Sequence, residues 1–112
     1  MSDMIEYVSD ETFASDVSSI VEPILLDFTA DWCAPCKAMD PVLEQVRKKY
    51  EGQLRILKVD LDESADICSQ FGVFSIPTLI FLSSGEAKHR LAGARSYNQL
   101  VQEIDRFLQS TK

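Results

Sequence analysis

Ile24-Leu25-Leu26-Asp27-Phe28-Thr29-Ala30-Asp31-Trp32-Cys33-Ala34-Pro35-Cys36-Lys37 is the stretch from which the rest of the chain is read. Its first part, Ile24 to Phe28, is an apolar run broken by one acid. Such a run suits a strand covered on both faces, as strands of parallel sheets are. Its last part leads into Met39, Val42, Leu43 and Val46, spaced as an apolar stripe along a helix. Pro35 fits the first turn of that helix, where a missing N–H costs nothing. Pro41 lies inside the stripe and is expected to kink it. Cys33 and Cys36 therefore stand at a strand-to-helix junction.

Outward from this stretch, turn residues divide the chain into alternating pieces. Ile5 to Val8 reads as a short strand, and Ser9 and Asp10 as N-cap residues of a helix carrying Phe13 and Val17. Gly52 marks the exit of the cysteine helix, and Leu54 to Leu61 is a second apolar strand. Ser64 to Phe71 reads as a short helix stopped by Gly72. Thr78 to Leu82 and Ala87 to Leu91 read as a hairpin around Ser84-Gly85. Ser96 and Gln99 form a capping-box pattern before a last helix that buries Leu100, Ile104, Phe107 and Leu108. The order is βαβαβαββα. The passage from Leu25 to Leu61 requires a parallel crossover, and the hairpin requires an antiparallel pair. The expected fold class is α/β, a mixed sheet with helices on both faces, with residues 1–112 as a single domain.

Composition narrows the function. The chain has 112 residues, 46% of them apolar, which can fill one core. Eleven basic against eighteen acidic residues leave a net charge of −7. That balance argues against nucleic acid, since phosphate binding needs clustered Lys and Arg. The longest basic run, Arg47-Lys48-Lys49, reads as a solvated helix face. No stretch approaches the roughly 18 apolar residues of a membrane span. The first six residues, Met1 to Glu6, lack the basic and apolar regions of a signal peptide, so the expected location is the cytoplasm. In a reducing compartment a close cysteine pair points to redox chemistry or metal rather than to a structural bridge.

A helix start presents unpaired N–H groups and the positive end of the helix dipole. Both favour a thiolate. Two intervening residues place the second sulfur one turn on, within bonding reach of the first. The spacing thus suits attack by Cys33 on a target disulfide and resolution by Cys36. Two other readings of the pair stand beside this one. It can be half a zinc site, although Cys68 and His89 are far apart in sequence and unpaired. It can also be two inert core cysteines. Asp27, alone among apolar neighbours, is expected to have a raised pKa and to take the proton of Cys36. The alternative is an Asp27 that faces solvent or pairs with Lys58. Cys68 reads as a small buried hydrophobe, with regulatory oxidation as its other reading. His89 reads as solvent-facing and receives no catalytic role.

Asp27 to Lys37, Ser75-Ile76-Pro77-Thr78 and Gly93-Ala94 together resemble the thioredoxin family, over about residues 5–108. The resemblance implies a thioredoxin-like five-stranded mixed sheet flanked by four helices. It implies a protein-disulfide reductase that acts by dithiol–disulfide exchange and needs no cofactor beyond the Cys33–Cys36 couple. The implied partners are disulfide-containing proteins and a flavin-containing, NADPH-dependent thioredoxin reductase, and the implied state is a monomer. Cys33 becomes the exposed nucleophile, Cys36 the resolving thiol and Asp27 the buried proton acceptor. Trp32 packs beside the disulfide. Pro77 is cis and faces the cysteines, and the backbone of Ile76 pairs with an extended substrate segment. Ala34, Pro35, Ile76, Pro77, Ala92, Gly93 and Ala94 form an apolar docking surface. Read without the family, Pro77 is a strand-edge proline and Gly93 a backbone requirement. Ala34 stands where the family commonly has Gly, and Thr29 where it often has an aromatic residue. Phe74 replaces an often polar residue and either extends the docking surface or joins the core. A binding subunit of the same fold, in which docking matters more than electron transfer, is the competing function.

Overall fold

The computed structural model describes residues 5–111. Its elements are β1 (Glu6–Val8), α1 (Phe13–Ser19), β2 (Ile24–Thr29), α2 (Ala34–Lys49), β3 (Arg55–Asp60), α3 (Ala65–Gln70), β4 (Thr78–Ser83), β5 (Glu86–Ala92) and α4 (Tyr97–Ser110). The five strands form one sheet in the order β1-β3-β2-β4-β5. β3 is parallel to both β1 and β2, while β4 is antiparallel to β2 and β5. This is the expected thioredoxin-like α/β architecture.

β2 lies at the centre, and all six of its residues are buried. Its alternating side chains sort the core into two layers. Leu25 packs with Met39, Leu43 and Val46 of α2 and with Leu100, Ile104 and Phe107 of α4. Leu26 and Phe28 point the other way, toward Phe13 of α1 and Ile67 and Cys68 of α3. Each large apolar side chain so enclosed contributes about 1.5–3 kcal/mol. Two covered faces explain why β2 shows no polar alternation. Asp27 shares the face of Leu25, so it points toward the layer of α2.

Local signals set the closing elements. Ser84 and Gly85 both have positive φ, 53° and 79°, as a two-residue hairpin turn requires. The capping box is formed in both halves. Gln99 N–H donates to Ser96 Oγ at 3.2 Å, and Ser96 N–H to Gln99 Oε1 at 3.0 Å. α2 stays helical across Pro41, whose own side is exposed, because Met39, Leu43 and Val46 hold its other side in the core.

The entry to α1 differs from expectation. The N-cap is Thr12, not Ser9 or Asp10. Ser9 closes a turn with Thr12 through bonds of 3.2 and 3.3 Å. Asp10 instead caps a different helix, its carboxylate accepting from Asp66 N–H at 3.2 Å and Ile67 N–H at 3.0 Å at the start of α3. The N-cap of α3 itself, Ser64, makes no side-chain cap bond, and its hydroxyl donates to the Val8 carbonyl at 3.4 Å.

Candidate functional site

β2 delivers the chain to its C-terminal edge, and Cys33 becomes the N-cap of α2. The Cys36 N–H, one of the unpaired amides of the first turn, donates to Cys33 Sγ at 3.2 Å. That amide and the helix start set partial positive charge against the sulfur of Cys33, which favours its thiolate once the disulfide is reduced. Cys33 and Cys36 are joined as a disulfide with Cα atoms 5.3 Å apart. Cys33 is not the exposed group that the resemblance implied. It is 5% accessible and Cys36 2%, because Ala30, Leu61 and Ile76 enclose the pair in a small apolar cluster.

Asp27 is 1% accessible, and its Oδ1 has no hydrogen-bond partner among the described residues. Burial pushes its carboxyl up from 3.8 to about 7; Lys58 pulls it down and Asp40 adds to the rise. Lys58 is its register partner on β3, and Leu79 its partner on β4. The ammonium of Lys58 nevertheless bonds Asp40 Oδ1 of α2 at 2.9 Å. The alternative of an Asp27 turned to solvent therefore fails, and the ion pair of Lys58 is made with Asp40.

Two loops border the cysteines. The Ile76–Pro77 bond is cis, and Ile76 packs against the disulfide cluster. Gly93 N–H donates to the Pro77 carbonyl at 2.8 Å, tying the second loop to the first. Gly93 has φ +92°, and a Cβ there would meet only Arg95 Nη1 at 3.7 Å, so conformation and not space calls for glycine. Arg95 Nη1 donates to the carbonyls of Ala92, Gly93 and Ala94 at 3.0, 3.2 and 3.3 Å, which stiffens this loop. Ala34, Pro35, Ala92 and Ala94 are exposed around the pair.

Trp32 is 66% accessible, and its indole N–H donates to Asp62 Oδ2 at 2.8 Å. Phe74 is 90% accessible while its neighbour Val73 is buried, so Val73 and not Phe74 serves the core. Cys68 is buried, and burial, then Asp10 and Asp60, push its thiol up, which suits the inert reading. His89 is exposed, stacks on Phe81 and lies 3.2 Å from Glu103 Oε1. Sequence reasoning missed Asp40 and Asp62, whose partners lie 18 and 30 positions away, and Arg95, whose side chain folds back onto the carbonyls just before it without any motif to mark it.

A family model described as Thioredoxin matches residues 4–106. The chain is 40% identical to the thioredoxin of Acidithiobacillus ferridurans over 105 residues, 94% of this chain and 97% of that one. It is 39% identical to the thioredoxin of Pseudomonas aeruginosa, with 94% and 97% of the two chains covered. It is 37% identical to thioredoxin 1 of a Nostoc strain, with 90% and 94% covered.

Proposed function

The chain belongs to the thioredoxin family, and on that premise we propose how its residues divide the reaction. It is a thiol–disulfide oxidoreductase that reduces protein disulfides through Cys33 and Cys36. In the dithiol form, the Cys33 thiolate attacks one sulfur of a target disulfide. The target bond breaks, a mixed disulfide forms with Cys33, and one target thiolate leaves. Asp27 takes the proton of Cys36. The Cys36 thiolate then attacks Cys33 Sγ, forming the Cys33–Cys36 disulfide and releasing the second target thiolate. Two electrons pass to the target, and no other redox group takes part in this exchange.

The observation that carries the assignment of nucleophile is the Cys36 N–H directed at Cys33 Sγ over 3.2 Å. Pro77 faces the pair, and Ile76 offers its backbone to an extended target segment. Trp32, Ala34, Pro35, Gly93 and Ala94 complete the docking surface. Recharging falls to a flavin-containing, NADPH-dependent thioredoxin reductase. The working state is a monomeric single domain in the cytoplasm. No helix among the described residues is long and apolar enough to cross a membrane.

Insulin reduction with a matched reductase tests this scheme. Cys33→Ser is expected to abolish turnover, whereas Cys36→Ser still forms, and then traps, the mixed disulfide. Turnover retained in Cys33→Ser would reject it. A Cys33→Ser/Cys36→Ser protein that still fills the cellular role would move the function to docking alone, a reading favoured by the exposed ring of Phe74, two positions before Ile76.

A further inference from the structure

We infer that Asp40 is a positioning residue that holds the Lys58 ammonium on α2 and so leaves the buried Asp27 carboxyl without a cationic partner. The consequence for catalysis rests on the reading of Asp27 as the base for Cys36.

Asp27 and Lys58 are Cα partners across the parallel pair β2–β3, and their side chains share the face covered by α2. Lys58 is long enough to reach past the sheet. Asp40 stands one helical turn beyond Cys36 on that covering helix. One ammonium thus has two acids within its range. The side chain of Lys58 is 14% accessible and that of Asp40 44%, against 1% for Asp27 as a residue. Ionising the half-exposed acid costs less desolvation than ionising the enclosed one. Lys58 accordingly bonds Asp40 at 2.9 Å, and Asp27 Oδ1 stays unpaired.

Among the described residues, the other elements around Asp27 supply no substitute cation. β4 presents Leu79, and α4 presents Leu100, Ile104 and Phe107 to this layer. From β1, Tyr7 reaches Lys58, its ring centroid 5.7 Å from Nζ. From α2 comes Asp40. The charges that act on Asp27 are Lys58, lowering its pKa, and Asp40, raising it. Burial pulls Lys58 down, but the bond and charge of Asp40, with Tyr7 and Asp27, push it up overall. The ammonium therefore remains charged, and its placement decides how strongly Asp27 feels it.

The test follows the 13C shift of the Asp27 carboxyl through a pH titration of the oxidised protein, where neither active-site cysteine titrates. The parent, Asp40→Asn, Lys58→Gln and the double variant are compared. Asp40→Asn keeps side-chain size at a half-exposed position, and the amide spectrum checks its fold. Freed Lys58 is expected to turn to Asp27 and lower its midpoint by about one pH unit. In the Lys58→Gln background the same replacement is expected to move it much less, since only direct repulsion is then removed. Equal displacements in both backgrounds, or none in the parent background, would overturn the inference. Release of the mixed disulfide is timed in the same proteins. A midpoint that moves as stated while the release profile stays in place supports the role of Asp40 and counts against Asp27 as the base.

Discussion

Asp27 has a carboxyl that burial moves from 3.8 to about 7. The same burial that brings this carboxyl near neutral pH also affects folding. Because the folded pKa lies above the unfolded one, the folded state binds the proton more tightly. The penalty is absent below about pH 4, grows as pH rises, and is complete once pH passes the folded value of about 7. At about 1.4 kcal/mol per pH unit its full size is on the order of 4 kcal/mol, an upper bound. Asp27→Asn should thus gain stability relative to the parent between pH 4.5 and pH 8, which urea unfolding at the two pH values will measure. A gap that does not widen with pH would contradict the buried titration. The same variant should slow release of the mixed disulfide more than its formation, and stopped-flow traces separate the two steps. Asp27 stood out in the sequence as one acid in an apolar run. Asp40 did not, because its partner is on a strand 18 residues away and only the packing of α2 on the sheet joins them.

Helix entries behave differently according to how far away the capping group lies. The box of Ser96 and Gln99 is local, so its residues announce it and the helix forms where they stand. Asp10 also looks like a cap, yet it serves α3, 56 and 57 positions further along. Spacing reveals the first and hides the second. Asp10→Ala is expected to cost about 1 kcal/mol, the usual worth of a cap. The loss should appear as a lower urea midpoint with unchanged slope, together with faster hydrogen exchange at the amides of Asp66 and Ile67. Protection unaltered at those two amides would show that the bond is not maintained in solution. α3 has only six residues and needs this support more than a long helix does.

At the largest scale, the candidate site draws on three segments that lie far apart in the chain. β2 brings the start of α2, β4 brings the cis-proline turn, and the end of β5 brings Gly93. The sheet order places β4 beside β2, and the Gly93–Pro77 bond holds the last loop against the second. Phe74, two positions before Ile76 in the chain, has 90% of its area accessible. Its ring stabilises little in the free protein, so Phe74→Ser should leave thermal stability within about 0.5 kcal/mol of the parent. If the ring meets partners, KM for the reductase or for insulin should rise several-fold with kcat nearly unchanged. Equal KM values for both partners would place Phe74 outside the docking surface.

The order of the elements, the cysteine pair at a strand-to-helix junction and the acid within the apolar strand are all legible in local sequence. These are carried by neighbours a few positions apart, where periodicity and turn chemistry act directly. Long-range packing, by contrast, settles that Cys33 lies nearly enclosed in its disulfide form, that Val73 and not Phe74 enters the core, and that Lys58 bonds Asp40. Each of those outcomes is a competition between groups brought together by packing, and burial and distance choose among them after the chain has folded.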